Sequence, residues 1–135
     1  MLNGLDHIGI AVADLEQAVP LWLKITGGKL VHREIVASQK VEVAVIEIGS
    51  LHVELLRGVS DDSPIAKFIA ARGAGIHHIA LRSTAAQEEL DRLKQTGVRL
   101  IDETVRTGAE DSRVGFIHPK SVEGVLLEVV EPGHK

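Results

Sequence analysis

Two short stretches of the chain are near copies of each other, DHIGI at 6–10 and HHIAL at 77–81. Each begins a strand pattern that leads into a helix pattern, and each precedes a glutamate inside an apolar run. Glu54 lies 47 residues after His7, and Glu128 lies 50 residues after His78. A chain of 135 residues has the length of one domain, so the repeat predicts two similar modules that share it.

The local patterns that follow the two copies are also alike. Each copy leads to a helix whose start and stop signals are thirteen residues apart, Asp14 to Gly27 in the first and Thr84 to Gly97 in the second. Three strand candidates follow each helix, at 29–35, 41–48 and 51–56, and at 99–106, 114–118 and 125–130. The order predicts an α+β fold of two βαβββ modules with curled, mostly antiparallel sheets. We expect a single domain, 1–135, with modules at about 1–56 and about 76–135 and a linker, 57–75, that carries a short helix.

Strand alternation decides which histidine of the pair at 77 and 78 belongs to the repeat. Ile79 mirrors Ile8 only if His78 aligns with His7. Side chains alternate between the two faces of a strand, so His78 then points as His7 does. His77 points to the other face, and we expect it to play no part in the repeated site.

The repeat therefore supplies two histidines and two carboxylates at matching places. Taken singly, a histidine at a strand start is often a half-exposed polar residue, and a strand glutamate normally points to solvent. Glu54 and Glu128, however, both lie in continuous apolar runs, where an unpaired buried carboxylate would cost several kcal/mol. Two imidazoles and two carboxylates suit a divalent ion of Mn, Fe, Co, Ni or Zn, with positions left for water or a chelating substrate.

Composition excludes several other classes of function. The chain has no cysteine, which rules out thiolate nucleophiles and thiolate metal sites. Its net charge is −4 without a block of like charges, and the few aromatic residues offer no stacking platform, so we expect no nucleic-acid or membrane partner. No signal-peptide pattern or membrane-spanning run is present, and a cytoplasmic protein is the expectation.

Several segments resemble the vicinal oxygen chelate superfamily, which includes glyoxalase I, extradiol dioxygenases and methylmalonyl-CoA epimerases. The segments 6–12 (DHIGIAV), 75–80 (GIHHIA), 116–121 (FIHPKS) and 124–128 (GVLLE) are similar to the epimerase branch in particular. The resemblance covers essentially the whole chain. It implies two tandem modules that form a curled mixed sheet around a metal-binding cleft, and it implies a homodimer.

The resemblance also implies a ligand set and a reaction. His7, Glu54, His78 and Glu128 would bind a divalent metal ion, with Co, Mn, Ni, Zn and Mg not distinguished. The implied activity is the epimerisation of an acyl-CoA substrate, (2R)/(2S)-methylmalonyl-CoA, by removal of the C2 proton through a metal-stabilised enolate. Glu128 would also be the catalytic group on one face of C2.

The resemblance assigns the catalytic base on the other face to Glu42. In the strand 41–48 this residue shares a face with Ala44 and Ile46, and we expect that face to point inward. Burial is then expected to raise the pKa of Glu42 towards neutrality. The alternative reading is an exposed glutamate on an edge strand.

Other functions of the same fold stay open. A lactoylglutathione lyase (glyoxalase I) is the main alternative, and a non-enzymatic binder of the superfamily is another. An extradiol dioxygenase is disfavoured by Glu54, because such enzymes use two histidines and one carboxylate. The remaining histidines are expected to be structural or solvent-exposed, although His52 shares the face of Glu54: His32, His52, His77, His118 and His134.

Overall fold

The structure, a computed structural model, describes residues 1–133; His134, one of the histidines expected to be structural or exposed, lies outside them. The first module has the predicted βαβββ order. Its sheet has the strand order β2-β3-β4-β1, in which β1 and β4 are parallel and the other pairs antiparallel. Its elements are β1 (Leu2–Ala11), α1 (Leu15–Thr26), β2 (Lys29–Val36), β3 (Val41–Ile48) and β4 (Leu51–Gly58).

The second module repeats this order after a linker helix, α2 (Pro64–Arg72). Its sheet has the order β5-β8-β7-β6, again with one parallel pair, β5 with β8. Its elements are β5 (Gly75–Ser83), α3 (Ala86–Gln95), β6 (Arg106–Thr107), β7 (Arg113–Ile117) and β8 (Leu127–Glu131). The α+β fold class with mixed sheets and tandem βαβββ modules is confirmed.

The strand predicted at 99–106 is mostly wrong, because β6 has only two residues. The segment before it meets β7 through an isolated antiparallel bridge of Leu100 with Ile117, and side chains also hold it. Asp102 accepts the backbone N–H of Phe116 at 2.9 Å, and Gln87 accepts the N–H of Val105 at 2.9 Å. A side chain that accepts a hydrogen bond from a backbone N–H replaces the carbonyl of a neighbouring strand as the partner of that N–H. An apolar run with such partners therefore need not continue as a strand.

The chain divides into two compact units, one of residues 7–77 and one of residues 1–6 with the residues from 78 onward. The first six residues therefore belong with the second module. The terminal ammonium of Met1 lies 3.3 Å from the carboxylate of the buried Glu89. Leu2 packs against the core of α3, and Arg82 donates to the carbonyl of Leu5 at 3.3 Å.

Helix α1 covers one face of the first sheet. Asp14 caps its start by accepting the N–H of Glu16 at 2.8 Å, and Gly27 ends it in the left-handed conformation. The buried residues between helix and sheet come from α1, β3 and β4: Leu15, Val19, Ala44, Ile46, Val53 and Leu55. We call the sheet face that carries the last four the helix face, and the opposite face the histidine face.

Helix α3 covers the second sheet in the same way. Leu90 packs with Ile117 and Val129, and all three are buried. Gly115 lies under the helix, since a Cβ there would stand 2.6 Å from a methyl carbon of Leu90. The predicted N-cap, Thr84, is wrong: the helix begins at Ala86, whose N–H is accepted by Glu131 of β8 at 2.9 Å.

The linker helix α2 starts at Pro64, after the buried N-cap Ser63, whose hydroxyl accepts the N–H of Ala66 at 3.0 Å. The expectation of a short helix in the linker is thus confirmed. Within residues 1–133, no helix has the length and apolar character needed to cross a lipid bilayer.

Candidate metal centre

The first module brings His7 and Glu54 together. Strands β1 and β4 run parallel with Gly9 opposite Glu54, so His7, two residues earlier, lies on the same face. The Nδ1 atom of His7 is 3.3 Å from Oε2 of Glu54. His7 is 4% exposed, and Glu54 is partly buried. Gly9, opposite the carboxylate on β1, contributes no side chain to the histidine face.

The second module brings His78 and Glu128 together in the same register. Ala80 stands opposite Glu128 as Gly9 stands opposite Glu54, and His78 again precedes the small residue by two positions. The Nε2 atom of His78 is 3.3 Å from Oε1 of Glu128, and both side chains are buried. His78 therefore takes the place of His7, whereas the ring of His77 lies edge-on to Phe68 at 5.0 Å.

Each module thus supplies one imidazole and one carboxylate as a close pair. A carboxylate buried to this degree is costly unless a cation or hydrogen-bond donors compensate it. Imidazole nitrogen and carboxylate oxygen are also the ligand types that bind divalent first-row metals. The donor chemistry of both pairs therefore fits a divalent ion.

Glu42 lies on the helix face of the first sheet, away from His7 and Glu54. Ile46 pairs with Val53, and Val45 pairs with Glu54. Ile46 and Val53 both pack against α1, so their face is the helix face, and Glu54 faces the other way. Glu42 shares its face with Ala44 and Ile46, as expected from the sequence, but that face does not carry the proposed ligands.

Two arginines bind the Glu42 carboxylate there. Arg57 donates to Oε1 from Nε at 3.1 Å and from Nη2 at 2.9 Å, and Arg33 donates to Oε2 at 3.1 Å. Arg33 also pairs with Glu16 in the first turn of α1. The hydrogen bonds from Arg57, more than those from Arg33, hold the pKa of Glu42 below its ordinary value, despite an opposing effect of burial.

The expectation that burial raises the pKa of Glu42 is therefore wrong. Guanidinium groups stabilise the ionised form of a carboxylate more than partial burial penalises it. A carboxylate with a lowered pKa is a weak proton acceptor near neutral pH. Neither the direction of the side chain nor its charge state supports the catalytic assignment of Glu42.

Other proton acceptors lie on the histidine face of the first module. On β3, Val45 stands opposite Glu54, and Val43 and Glu47 flank it on the same face. On β2, next to them, His32 pairs with Val45 and Glu34 with Val43. The Nε2 atom of His32 is 2.8 Å from Oε1 of Glu34. We call residues that stand opposite one another on neighbouring strands a row. The row of His7 includes a second histidine–glutamate pair, in which Nε2 of His52 is 3.3 Å from Oε2 of Glu47.

From the sequence, His32 is expected to be structural or exposed, and Glu34 is assigned no role. A signal was present, because His32 and Glu34 are two residues apart on a strand and so share a face, with Arg33 between them on the other. Their position opposite Val45 and Val43 depends on the register of β2 and β3. That register includes an irregularity between Leu30 and His32, which a sequence pattern does not reveal.

Comparisons with known proteins agree with the arrangement of the modules. Residues 6–116 match the model of the Glyoxalase/Bleomycin resistance protein/Dioxygenase superfamily. The mitochondrial methylmalonyl-CoA epimerase of Homo sapiens is 35% identical over 129 residues, which are 95% of this chain and 73% of that protein.

Two solved structures are similar over nearly their whole length. The crystal structure of methylmalonyl-CoA epimerase from Mycobacterium tuberculosis has a TM-score of 0.95 and 41% identity, covering 98% of this chain and 90% of that one. A variant of the Streptomyces coelicolor methylmalonyl-CoA epimerase in complex with 2-nitronate-propionyl-CoA has a TM-score of 0.95 and 32% identity, covering 99% and 100%. The chain belongs to the Glyoxalase/Bleomycin resistance protein/Dioxygenase superfamily, in the family that includes the methylmalonyl-CoA epimerases.

Proposed function

We propose that the protein is a metal-dependent epimerase that interconverts (2R)- and (2S)-methylmalonyl-CoA. The observation that carries the proposal is the histidine–glutamate pair that recurs in the same register in both modules. The similarity to methylmalonyl-CoA epimerases over at least 95% of the chain supports the substrate. The complex of the Streptomyces coelicolor relative with 2-nitronate-propionyl-CoA supports an acyl-CoA ligand.

His7, Glu54, His78 and Glu128 are proposed as the ligands of one divalent metal ion. Their burial and their close pairing within each module support this assignment. Such an ion supplies Lewis-acid stabilisation of the negative charge that develops on substrate oxygen when a proton leaves the neighbouring carbon. The ligand set does not distinguish Co, Mn, Ni, Zn and Mg, and metal analysis of the purified protein would identify the ion.

Glu128 is proposed to act also on the proton of C2, on one face of that carbon. Its side chain is buried, and it stands between Ala80 on β5 and Phe116 on β7 in the sheet. A carboxylate in this position would remove the C2 proton from one epimer and deliver a proton to the enolate formed from the other. Inversion at C2 then needs a second proton-transfer group on the opposite face.

Proton exchange at C2 tests the proposal directly. The metal-loaded protein should incorporate deuterium into methylmalonyl-CoA in heavy water, and a chelator should stop it. If the loaded protein exchanges no deuterium from either epimer, the epimerase proposal is wrong. Turnover of the hemithioacetal of methylglyoxal and glutathione, in place of exchange, would favour the lactoylglutathione lyase instead.

We propose a homodimer as the working assembly. Exposed apolar side chains on α1 and on β2 support it: Leu21, Ile25, Val31 and Ile35. β2 ends the strand order of its sheet, and an apolar strand at such an edge is commonly covered by a partner. Light scattering would measure the mass, and a monomer at micromolar concentration would refute the proposal. The cytoplasmic location stays a prediction.

A further inference from the structure

A further histidine–glutamate pair lies on the histidine face of the first module. His32 and Glu34 of β2 contact each other at 2.8 Å, and each is partly exposed. Through the pairing of β2 with β3 and of β3 with β4, His32, Val45 and Glu54 form one row across three strands. Neighbouring strands are about 4.8 Å apart, so the backbones of His32 and Glu54 are separated by about 10 Å.

The chemistry of the pair is that of an oriented base. When Glu34 accepts the Nε2 proton of neutral His32, the ring lone pair lies on Nδ1. When the ring takes up a second proton, the carboxylate of Glu34 stabilises the imidazolium. A histidine held in this way has the geometry of a group that accepts a proton and returns it.

The rival groups on the first sheet are less suited. Glu42 faces the helix and is bound by two arginines. His52 and Glu47 are farther apart, at 3.3 Å, and are more exposed than His32 and Glu34. His52 also stands directly opposite His7 rather than in the row of Glu54.

We propose that His32, oriented by Glu34, exchanges the proton on one face of C2, a role that rests on the epimerase function proposed above. The C2–H bond breaks, its electron pair is delocalised into the thioester and carboxylate groups of the substrate, and the proton moves to the imidazole. Reprotonation from the opposite face gives the inverted epimer, and the reverse reaction uses the same groups in the opposite order. Glu34 is a positioning residue.

The test follows deuterium incorporation from each epimer separately, using His32→Asn in the metal-loaded, full-length protein. Because His32 is proposed to act on only one face of C2, its removal should affect the two epimers differently. Interconversion should fall by about a hundred- to ten-thousand-fold, the usual effect of losing a general base. One epimer should still exchange its C2 proton without inversion, while the other should not exchange.

Glu34→Gln should slow exchange from the same epimer as His32→Asn does, with a smaller loss. His52→Asn is the matched control, because it removes a histidine from the neighbouring pair on the same face, and it should exchange both epimers at the wild-type rate. Metal content and thermal unfolding of each variant establish that folding and metal binding are intact.

Three outcomes would count against the proposal. Interconversion by His32→Asn at the wild-type rate would overturn the role of His32. An equal loss of exchange from both epimers, with full metal content, would do the same, because a one-sided group leaves one epimer exchangeable. A wild-type protein that exchanges neither epimer would refute the epimerase function itself, and the role of His32 with it.

Discussion

The two modules hold the same histidine–glutamate pair but surround it differently. In the first module the row through Glu54 continues to Val45 and His32. In the second module the row through Glu128 ends at Phe116. The ring of Phe116 lies edge-on to His78 at 5.5 Å, and the guanidinium of Arg106 lies 5.9 Å from its centre.

The difference comes from the length of one strand. β2 has eight residues and carries polar side chains beside β3, whereas its counterpart β6 has two. In the second module the hydrogen bond from Phe116 to Asp102 occupies a position where a longer strand would pair. In both modules the parallel strand pair carries the repeated histidine and glutamate, whereas the outer antiparallel strands differ in length and in the side chains they carry.

Removing a repeated histidine should have the largest effect, and the same effect in both modules. His7→Ala and His78→Ala each delete a proposed ligand, so metal affinity should fall by more than the roughly 10–100-fold that loss of a supporting partner costs. Metal content after dialysis measures this. His77→Ala is the control and should keep its metal. Unequal losses of metal from His7→Ala and His78→Ala would show that the two modules do not contribute equally to metal binding.

Gly115→Ala should be the next largest change, acting on stability. The added Cβ would stand 2.6 Å from Cδ1 of the buried Leu90, so the Leu90 side chain or α3 must shift, at a cost of about 1–3 kcal/mol. Ala44 is the matching position of the first module, since it lies opposite Leu55 as Gly115 lies opposite Val129. Urea unfolding measures the cost. An unchanged midpoint would show that α3 is not packed this closely.

Glu42→Gln should leave epimerase turnover near the wild-type level and lower stability by about 1.5 kcal/mol, the lower end of the range for hydrogen bonds to charged groups. The Glu42 side chain is 17% exposed. Its lowered pKa stabilises the folded state above the unfolded pKa of about 4.3, and this stability is lost as the pH falls through the folded pKa.

The difference in unfolding free energy between wild type and Glu42→Gln should therefore be present at neutral pH and vanish in strong acid. Urea unfolding at both conditions measures it. Loss of most turnover in Glu42→Gln, with unchanged stability, would restore Glu42 as the base and contradict the assignment to His32.

Phe116→Leu should have the smallest effect. It removes an edge-on ring contact with His78, worth about 0.5–1.5 kcal/mol, and leaves the ligands in place. Phe68→Leu, which removes the similar contact with His77, is the matched control. Both should lower the melting temperature slightly, and only Phe116→Leu should weaken metal binding. Equal metal affinities would show that Phe116 does not help to orient His78.

Much of the fold and of the candidate site could be predicted because it depends on local pattern and repetition. The alternation of β5 identified His78 rather than His77, and the duplication pointed to Glu54 and Glu128. The strand at 99–106 was predicted wrongly, because its apolar pattern did not reveal that Asp102 and Gln87 would bind the neighbouring backbone.

The sequence by itself determined which residues share a face, since side chains alternate along any strand. It grouped Glu42 with Ala44, and it paired each histidine with its glutamate. Only the tertiary structure decided which face of β3 the helix α1 covers, and therefore that Glu42 faces arginines while His32 lies in the row of Glu54. Alternation is a property of one strand, whereas the choice of the covered face and the register between strands depend on long-range packing.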